Sequence, residues 1–371
     1  MSDADVHAAR RERLRDRCAA AGAAAALVSR PANVRYLAGC APPGAVLLVG
    51  PGGQDALVRR RPTAGDLSEG QPPDDVRTVV LTRSDGDPVV TAAGLVLDRR
   101  GDTLAVEEHH LTVARHRAIG SIAPGLRLSD LGGAVEQLRV VKDEQEIAAI
   151  RIAAELADQA LGELLESILI GRTERHLALE LERRLIDHGA DGPAFPTCVG
   201  TGPHSGAARH VPTDRRVEEG DFLTVRLGAC YRGYRCEVGR TFVVGTSPAD
   251  WQIELYELVF AAQRAGREAL APGVACRDVD HAARSVLAAG GYGEALGEVT
   301  GHGVGLEIDE DPRVSPAAMG KLDACVPVTV EPGVHLPGRG GVRIDDTLVV
   351  RPPADGGPEL LTITTKELLA L

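Results

Sequence analysis

Two stretches far apart in the chain share one pattern, and repetition of a strand-turn-strand unit ties a chain of this kind to an antiparallel sheet. Leu223-Thr224-Val225-Arg226-Leu227 runs through a glycine-containing turn to Arg235-Cys236-Glu237-Val238. Val326-Pro327-Val328-Thr329-Val330-Glu331 runs through a Pro/Gly turn to Val342-Arg343-Ile344-Asp345. Side chains alternate faces along a strand, so Leu223, Val225 and Leu227 share one face while Thr224 and Arg226 share the other. By the same count Val326, Val328 and Val330 oppose Thr329 and Glu331. Each unit thus has an apolar side for a core and a polar side that carries charge.

The 371 residues exceed one ordinary domain, and two domains are expected, spanning 1–129 and 130–371. Val6 to Ala21 has helical spacing and Ala24 to Val28 suits a buried strand. Asn33 to Leu37, Ala45 to Val49 and Leu104 to Val106 read as further short strands of a small α/β domain. Pro62 to Asp75 reads as a surface loop. Long amphipathic helices follow over Asp143 to Ile168 and Thr173 to His188, with Thr173 as N-cap. Aromatic residues make up only 3 %, so the core rests on Ala, Val and Leu. Three Lys stand against 38 Arg, which points to coding bias rather than a basic patch, and the net charge of −12 argues against nucleic acid or an anionic membrane as partner. Seven Cys without a C-x-x-C pair fit reduced thiols in a cytoplasmic protein. The Ala19 to Val28 run is about half the ~20 residues of a membrane span, and the Arg-rich start does not resemble a signal peptide.

The segments GDFLTVRLGACYRGYRCEVGRTF (220–242), GHGVGLEIDEDP (301–312), TVEPGVHLPGRGGVRIDDT (329–347) and RHVPTDRR (209–216) resemble the Xaa-Pro peptidase and creatinase family, the pita-bread hydrolases. The resemblance covers nearly the whole chain. It implies an α+β protein: a creatinase-like N-terminal α/β domain, then a pita-bread domain with a curved antiparallel sheet of two related hairpins covered by helices. It also implies a homodimer acting on a small molecule or short peptide. The family's dimetal centre takes two Asp, the GHG His, a Glu before Pro-Gly and a Glu in an R-I-E-D run. This chain offers Arg226, Glu237, His302, Glu331 and Asp345 at those places, and a third family His, before a Glu, is replaced by Asp309 before Glu310.

Guanidinium has no lone pair for a metal. At ~4 Å and an effective dielectric near 20 it repels a divalent ion by about 8 kcal/mol. The ordinary dimetal site is therefore expected to be lost, with no metal and no cofactor, and Arg226 standing in for a metal cation. Three carboxylates against that one guanidinium leave a formal −2, which calls for a protonated histidine or a cationic ligand. On the creatinase precedent His210, His302 and Glu331 are the candidate catalytic residues, with His210 as general acid/base, and Asp345, Glu237 and Arg343 the candidate substrate-binding residues. Ser205 and Cys198 lack a nucleophile elbow, and the glycines around His302 read as turn residues rather than a phosphate loop. Three readings stay open: a metal-independent hydrolase of an amide or guanidino C–N bond in a small cationic or zwitterionic substrate; a non-catalytic pseudoenzyme that binds a peptide or ligand; and a metal-dependent Xaa-Pro dipeptidase with a rearranged site.

Overall fold

The computed structural model describes residues 3–61, 72–81, 86–96, 102–167, 169–293, 295 and 297–371. The chain divides into two compact units, 1–139 and 140–371. The division falls later than the expected one because the strand and helix after residue 126 still belong to the first unit.

In the first unit six strands form one sheet in the order β4-β3-β2-β1-β5-β6. They are β1 (Ala25–Val28), β2 (Val46–Val49), β3 (Ala56–Arg60), β4 (Arg77–Leu81), β5 (Thr103–Val106) and β6 (Arg127–Asp130). β1 is antiparallel to β2 and parallel to β5. The helices are α1 (Asp3–Ala20), α2 (Pro31–Ala38), α3 (Pro88–Gly94), α4 (Val113–Ile122) and α5 (Ala134–Arg139). The stretch expected as a strand at Asn33 to Leu37 is α2. Pro31 presets its first turn, Gly39 closes it with φ 72° and a bond from its N–H to Arg35 O, and Val34, Leu37 and Ala38 bury one helical face. Most of the expected Pro62 to Asp75 loop lies outside the described residues.

The second unit begins with α6 (Glu144–Leu165) and α7 (Glu174–Asp187) and later adds α8 (Asp250–Glu268) and α9 (Cys276–Ala289). Asp143 caps α6 through a capping box, and Thr173 Oγ1 caps α7 by accepting from His176 N at 3.2 Å. The expected end of α6 at Ile168 lies outside the described residues, and the helix closes at Leu165.

Both repeated units fold as hairpins, and each arm is bent. The first runs through β9 (Phe222–Leu227), β10 (Ala229–Tyr231), β11 (Tyr234–Arg235) and β12 (Val238–Val243). β9 pairs with β12, and β10 pairs with β11. Two short strands precede it, β7 (Gly192–Pro193) beside β10 and β8 (Cys198–Thr201) beside β9. The second unit follows β13 (Gly301–Gly303) and β14 (Glu310–Val314). It comprises β15 (Pro327–Val330), β16 (Gly333–Leu336), β17 (Gly340–Arg343) and β18 (Asp346–Val349), with β19 (Glu359–Leu360) at its edge. β15 pairs with β18, and β16 pairs with β17. Bending falls beside the charged residues: after Leu227, at Cys236-Glu237, at Glu331-Pro332 and at Ile344-Asp345. The hairpins join where Gly239 and Asp345 exchange two backbone hydrogen bonds of 3.0 Å. The apolar faces of β9 and β12 pack against α6 and α7 through Leu223, Val225, Leu227, Val238 and Phe242.

All seven cysteines are free thiols. No helix among the described residues is long and apolar enough to cross a membrane.

Candidate active site

The four bends bring Arg226, Glu237, Glu331, Arg343 and Asp345 to one place. Arg226 leaves β9 beside the Gly228 break and donates from Nη2 to Glu237 Oε1 at 2.5 Å. Its Nε reaches the same oxygen at 3.0 Å and Asp345 Oδ2 at 3.2 Å. The Phe195 ring covers this guanidinium at 5.4 Å. Gly239 is the register partner of Arg226, and a Cβ built there would stand 2.3 Å from Asp345 Oδ2. A side chain at position 239 would thus close the space that the Asp345 carboxylate occupies.

Arg343 is the second cation of the cluster. Its Nε donates to both Asp345 oxygens at 2.8 Å, and its Nη2 pairs with Glu331 Oε2. The count made from the sequence omitted this residue. With two guanidiniums against three carboxylates the formal charge is −1, not −2, so the electrostatic case for a cationic ligand weakens. Asp345 and Arg343, both expected to bind substrate, are engaged with one another, and Arg343 lies 3.9 Å from Glu237, the third such residue.

His302 sits on β13, whose pairing with β14 shifts register between His302 and Gly303. Its backbone N donates to Thr329 Oγ1 at 3.0 Å, and its Nδ1 faces Gly303 O at 3.2 Å. An Nδ1–H donated to that carbonyl leaves the Nε2 lone pair directed at the carboxylates. Nε2 lies 3.5 Å from Glu331 Oε1 and 3.7 Å from Glu237 Oε2.

The ionisation of the group follows from burial and pairing. Burial disfavours the charged Glu237 carboxylate, yet Arg226, His302 whenever it is protonated, and Arg343 overcome it and hold the carboxyl below its usual range. Burial, opposed by Arg343 and Arg226 but reinforced by Glu331 and Glu237, pushes Asp345 up to about 7.

His210 is placed elsewhere. Its Nε2 lies 2.9 Å from Glu174 Oε2, in a group with His204 and Thr213. The link to the cluster is indirect: Cys198 donates to His210 O at 3.2 Å and is the register partner of Arg226. Asp309, at the place of the missing family His, is partly exposed and pairs with Arg313, while Glu310 turns inward to Lys142 Nζ at 2.9 Å. Sequence reasoning missed Glu174, whose only signal was its place beside the Thr173 cap. It also missed His204.

A two-ion set of the family kind does not fit this cluster, because guanidinium nitrogens hold Glu237 Oε1, both Asp345 oxygens and Glu331 Oε2. A set for one ion remains. Glu237, His302 and Glu331 each present a donor atom, all three lying within 4.8 Å of one another. These three atoms leave room for one ion at a place where the sequence reading expects no metal. Arg226 and Arg343 engage the other carboxylate oxygens and leave Glu237 Oε2, His302 Nε2 and Glu331 Oε1 facing one another.

The fold is that of a two-domain peptidase with a creatinase-like N-terminal domain. The chain belongs to metallopeptidase family M24, whose model matches residues 148–352, preceded by a Creatinase/Prolidase N-terminal domain at residues 10–141. An Xaa-Pro dipeptidase of Pyrococcus furiosus is 32 % identical over 344 residues, 92 % of this chain and 94 % of that protein. The Xaa-Pro dipeptidase of Pyrococcus horikoshii is 40 % identical over 235 residues, 63 % of this chain and 66 % of that one. Among solved structures, the Xaa-Pro dipeptidase from Bacillus anthracis superposes with a TM-score of 0.88 at 30 % identity, covering 98 % of this chain and all of its own.

Proposed function

We propose that the chain hydrolyses the C–N bond of short peptides of the Xaa-Pro class, using the pocket of Glu237, His302 and Glu331, with the Arg226 guanidinium in place of one of two metal cations. The observation that carries this reading is the division of the carboxylate oxygens. Glu237 Oε1, Glu331 Oε2 and both Asp345 oxygens are taken by Arg226 and Arg343, whereas Glu237 Oε2 and Glu331 Oε1 flank His302 Nε2 at 3.7 and 3.5 Å. Those gaps are too long for hydrogen bonds and match the ~3.4 Å between tetrahedral donors on bonds of ~2.1 Å. The three residues would hold one divalent ion, which when bound polarises a carbonyl or acidifies a water.

The chain's own residues do the rest. Gly303 O fixes the His302 tautomer. Arg226 and Arg343 hold the Glu237 carboxyl below its usual range and orient Asp345 and Glu331 through hydrogen bonds, at a cost far below that of unpaired buried carboxylates. Their positive charge also favours an anion developing on the substrate. A metal-free centre driven by His210 is less well supported, because His210 Nε2 is held by Glu174.

The test is hydrolysis of a panel of Xaa-Pro and non-proline dipeptides by metal-stripped protein supplied in turn with Mn²⁺, Co²⁺ or Zn²⁺. Metal-dependent cleavage that Glu331→Gln and His302→Ala abolish is expected. Equal cleavage without metal, activity insensitive to both substitutions, or no cleavage under any condition overturns the reading.

A further inference from the structure

Glu174, the first residue of α7, has a fully buried side chain. Among the described residues no Arg or Lys lies within ion-pairing distance of it; its partners are two histidines. Oε1 accepts from Thr201 N at 2.9 Å, and Oε2 from Thr213 N at 2.9 Å and Thr213 Oγ1 at 2.7 Å. His204 Nδ1 approaches Oε1 at 2.9 Å and His210 Nε2 approaches Oε2 at 2.9 Å, the two rings lying 4.6 Å apart. The His204 side chain is 38 % exposed and that of His210 11 %. The group is thus closed on the carboxylate side and open to water on the imidazole side.

We propose that Glu174, His204 and His210 form a second cation site, for one divalent transition-metal ion such as Zn²⁺, separate from Glu237, His302 and Glu331. Three observations carry it. The donor atoms lie within 4.8 Å of one another. The 2.9 Å gaps from each imidazole to the carboxylate, hydrogen-bond lengths without the ion, are within ~0.5 Å of the ~3.4 Å between tetrahedral donors on bonds of ~2.1 Å. Two imidazoles and a carboxylate are a donor set suited to zinc or cobalt rather than calcium or magnesium.

The charge balance points the same way. Apart from the two imidazoles, the desolvated carboxylate has no cation within ion-pairing distance among the described residues, and buried charges are paired or bind metals. A bound ion supplies the missing charge. The Thr201 and Thr213 donors already hold Glu174 in place, as outer partners do for ligating carboxylates. Water completes the coordination from the open side.

The ion's role is to fasten the segment from His204 to Thr213 onto the start of α7. That segment reaches the reaction centre, since His210 O accepts from Cys198 and Cys198 lies opposite Arg226 on β9. The ion therefore fastens a segment that is hydrogen-bonded to the strand beside Arg226, without entering the reaction.

Zn²⁺ titration of the metal-stripped full chain tests this, comparing Glu331→Gln with Glu331→Gln plus His204→Asn. The first variant is expected to keep one Zn²⁺ per chain and the second none. Trypsin cleavage after the exposed Arg209 reads the same site independently. At a Zn²⁺ concentration ten times the dissociation constant, it should slow about tenfold in Glu331→Gln and not at all once His204 is replaced. Exposed His204 tolerates replacement, and His210→Gln serves as a second ligand deletion. Zn²⁺ uptake or trypsin protection that survives both deletions overturns the proposal, as does a Glu331→Gln chain that takes no Zn²⁺. Failure of the peptidase reading, by contrast, appears only in the dipeptide panel.

Discussion

Arg226 Nη2 lies 2.5 Å from Glu237 Oε1, so a guanidinium holds one oxygen of a residue that the family resemblance places among the metal ligands. The Arg226 side chain is 25 % exposed, whereas Glu237 and Asp345 are buried. The cation therefore reaches in from the rim and neutralises charge that water cannot.

Arg226→Ala leaves three buried carboxylates facing Arg343 alone, and deleting one partner of such a group costs on the order of 3 kcal/mol. Arg226→Asp is expected to be less stable still without metal, because four carboxylates then converge. Added Mn²⁺ or Co²⁺ should raise its melting temperature by more than that of wild type, since metal binds only the folded site. Melting curves of the three proteins with and without metal decide the matter; an Arg226→Asp variant indifferent to metal removes Arg226 from the old second-ion position.

Much of this site could be read from the sequence. The repeat was visible as two apolar alternations, and Gly228 and Pro332 are breakers that bend a strand, so the hairpins were legible down to the faces carrying Arg226 and Glu331. Reach was not. Arg343 stands two residues before Asp345, and alternation places both on one face, but only the bend at Ile344 folds the guanidinium back onto that carboxylate. His210 and Glu174 are 36 positions apart, and nothing local to either signals the pairing. At Asn33 to Leu37, Val34, Leu37 and Ala38 also fit helical spacing, and Pro31 and Gly39 were the capping signals that decide for α2.

Gly239→Ala tests the packing behind Arg226. The new Cβ would stand 2.3 Å from Asp345 Oδ2, on a side chain pinned by two guanidiniums and between strands tied by paired 3.0 Å bonds. Overpacking of this kind costs ~1–3 kcal/mol. Gly162→Ala is the contrasting change: Gly162 lies in α6 with open space around the added methyl, and a stabilisation of ~0.5–1 kcal/mol is expected. Denaturant midpoints measure both; equal shifts for the two would refute the steric account.

A buried network supports the second hairpin from behind. Asp346 accepts from Arg240 Nη2 at 2.8 Å, Thr362 Oγ1 at 2.8 Å and Gln263 Nε2 at 2.6 Å, with Lys366 Nζ at 3.1 Å. Asp346→Ala strands two cations in the interior and should cost ~3–5 kcal/mol. Asp346→Asn, which keeps one acceptor oxygen, should cost less. Comparable losses in urea unfolding for both would mean that shape, not charge, holds the network.

His335 on β16 gives the chain a predictable response to acid. Its Nδ1 is buried without a hydrogen-bond partner. Burial first, then the charges of Arg343 and Arg226, lower its pKa to about 4 against the Ser205 backbone contact that favours protonation. In the unfolded chain the imidazole titrates near ~6.5. Between those values the unfolded chain binds more protons, so this residue's contribution is complete above ~6.5 and is lost as pH falls through about 4. The loss amounts to roughly 3 kcal/mol at most. His335→Phe removes the titrating nitrogen while filling the space, so its stability should fall less steeply from pH 7 to pH 4.5 than that of wild type. Other carboxyls held low, Glu237 and Glu174 among them, lose stability in the same direction in both proteins. The difference between the two urea-unfolding series therefore isolates His335, and parallel pH profiles would show that its imidazole is not buried beside the two arginines.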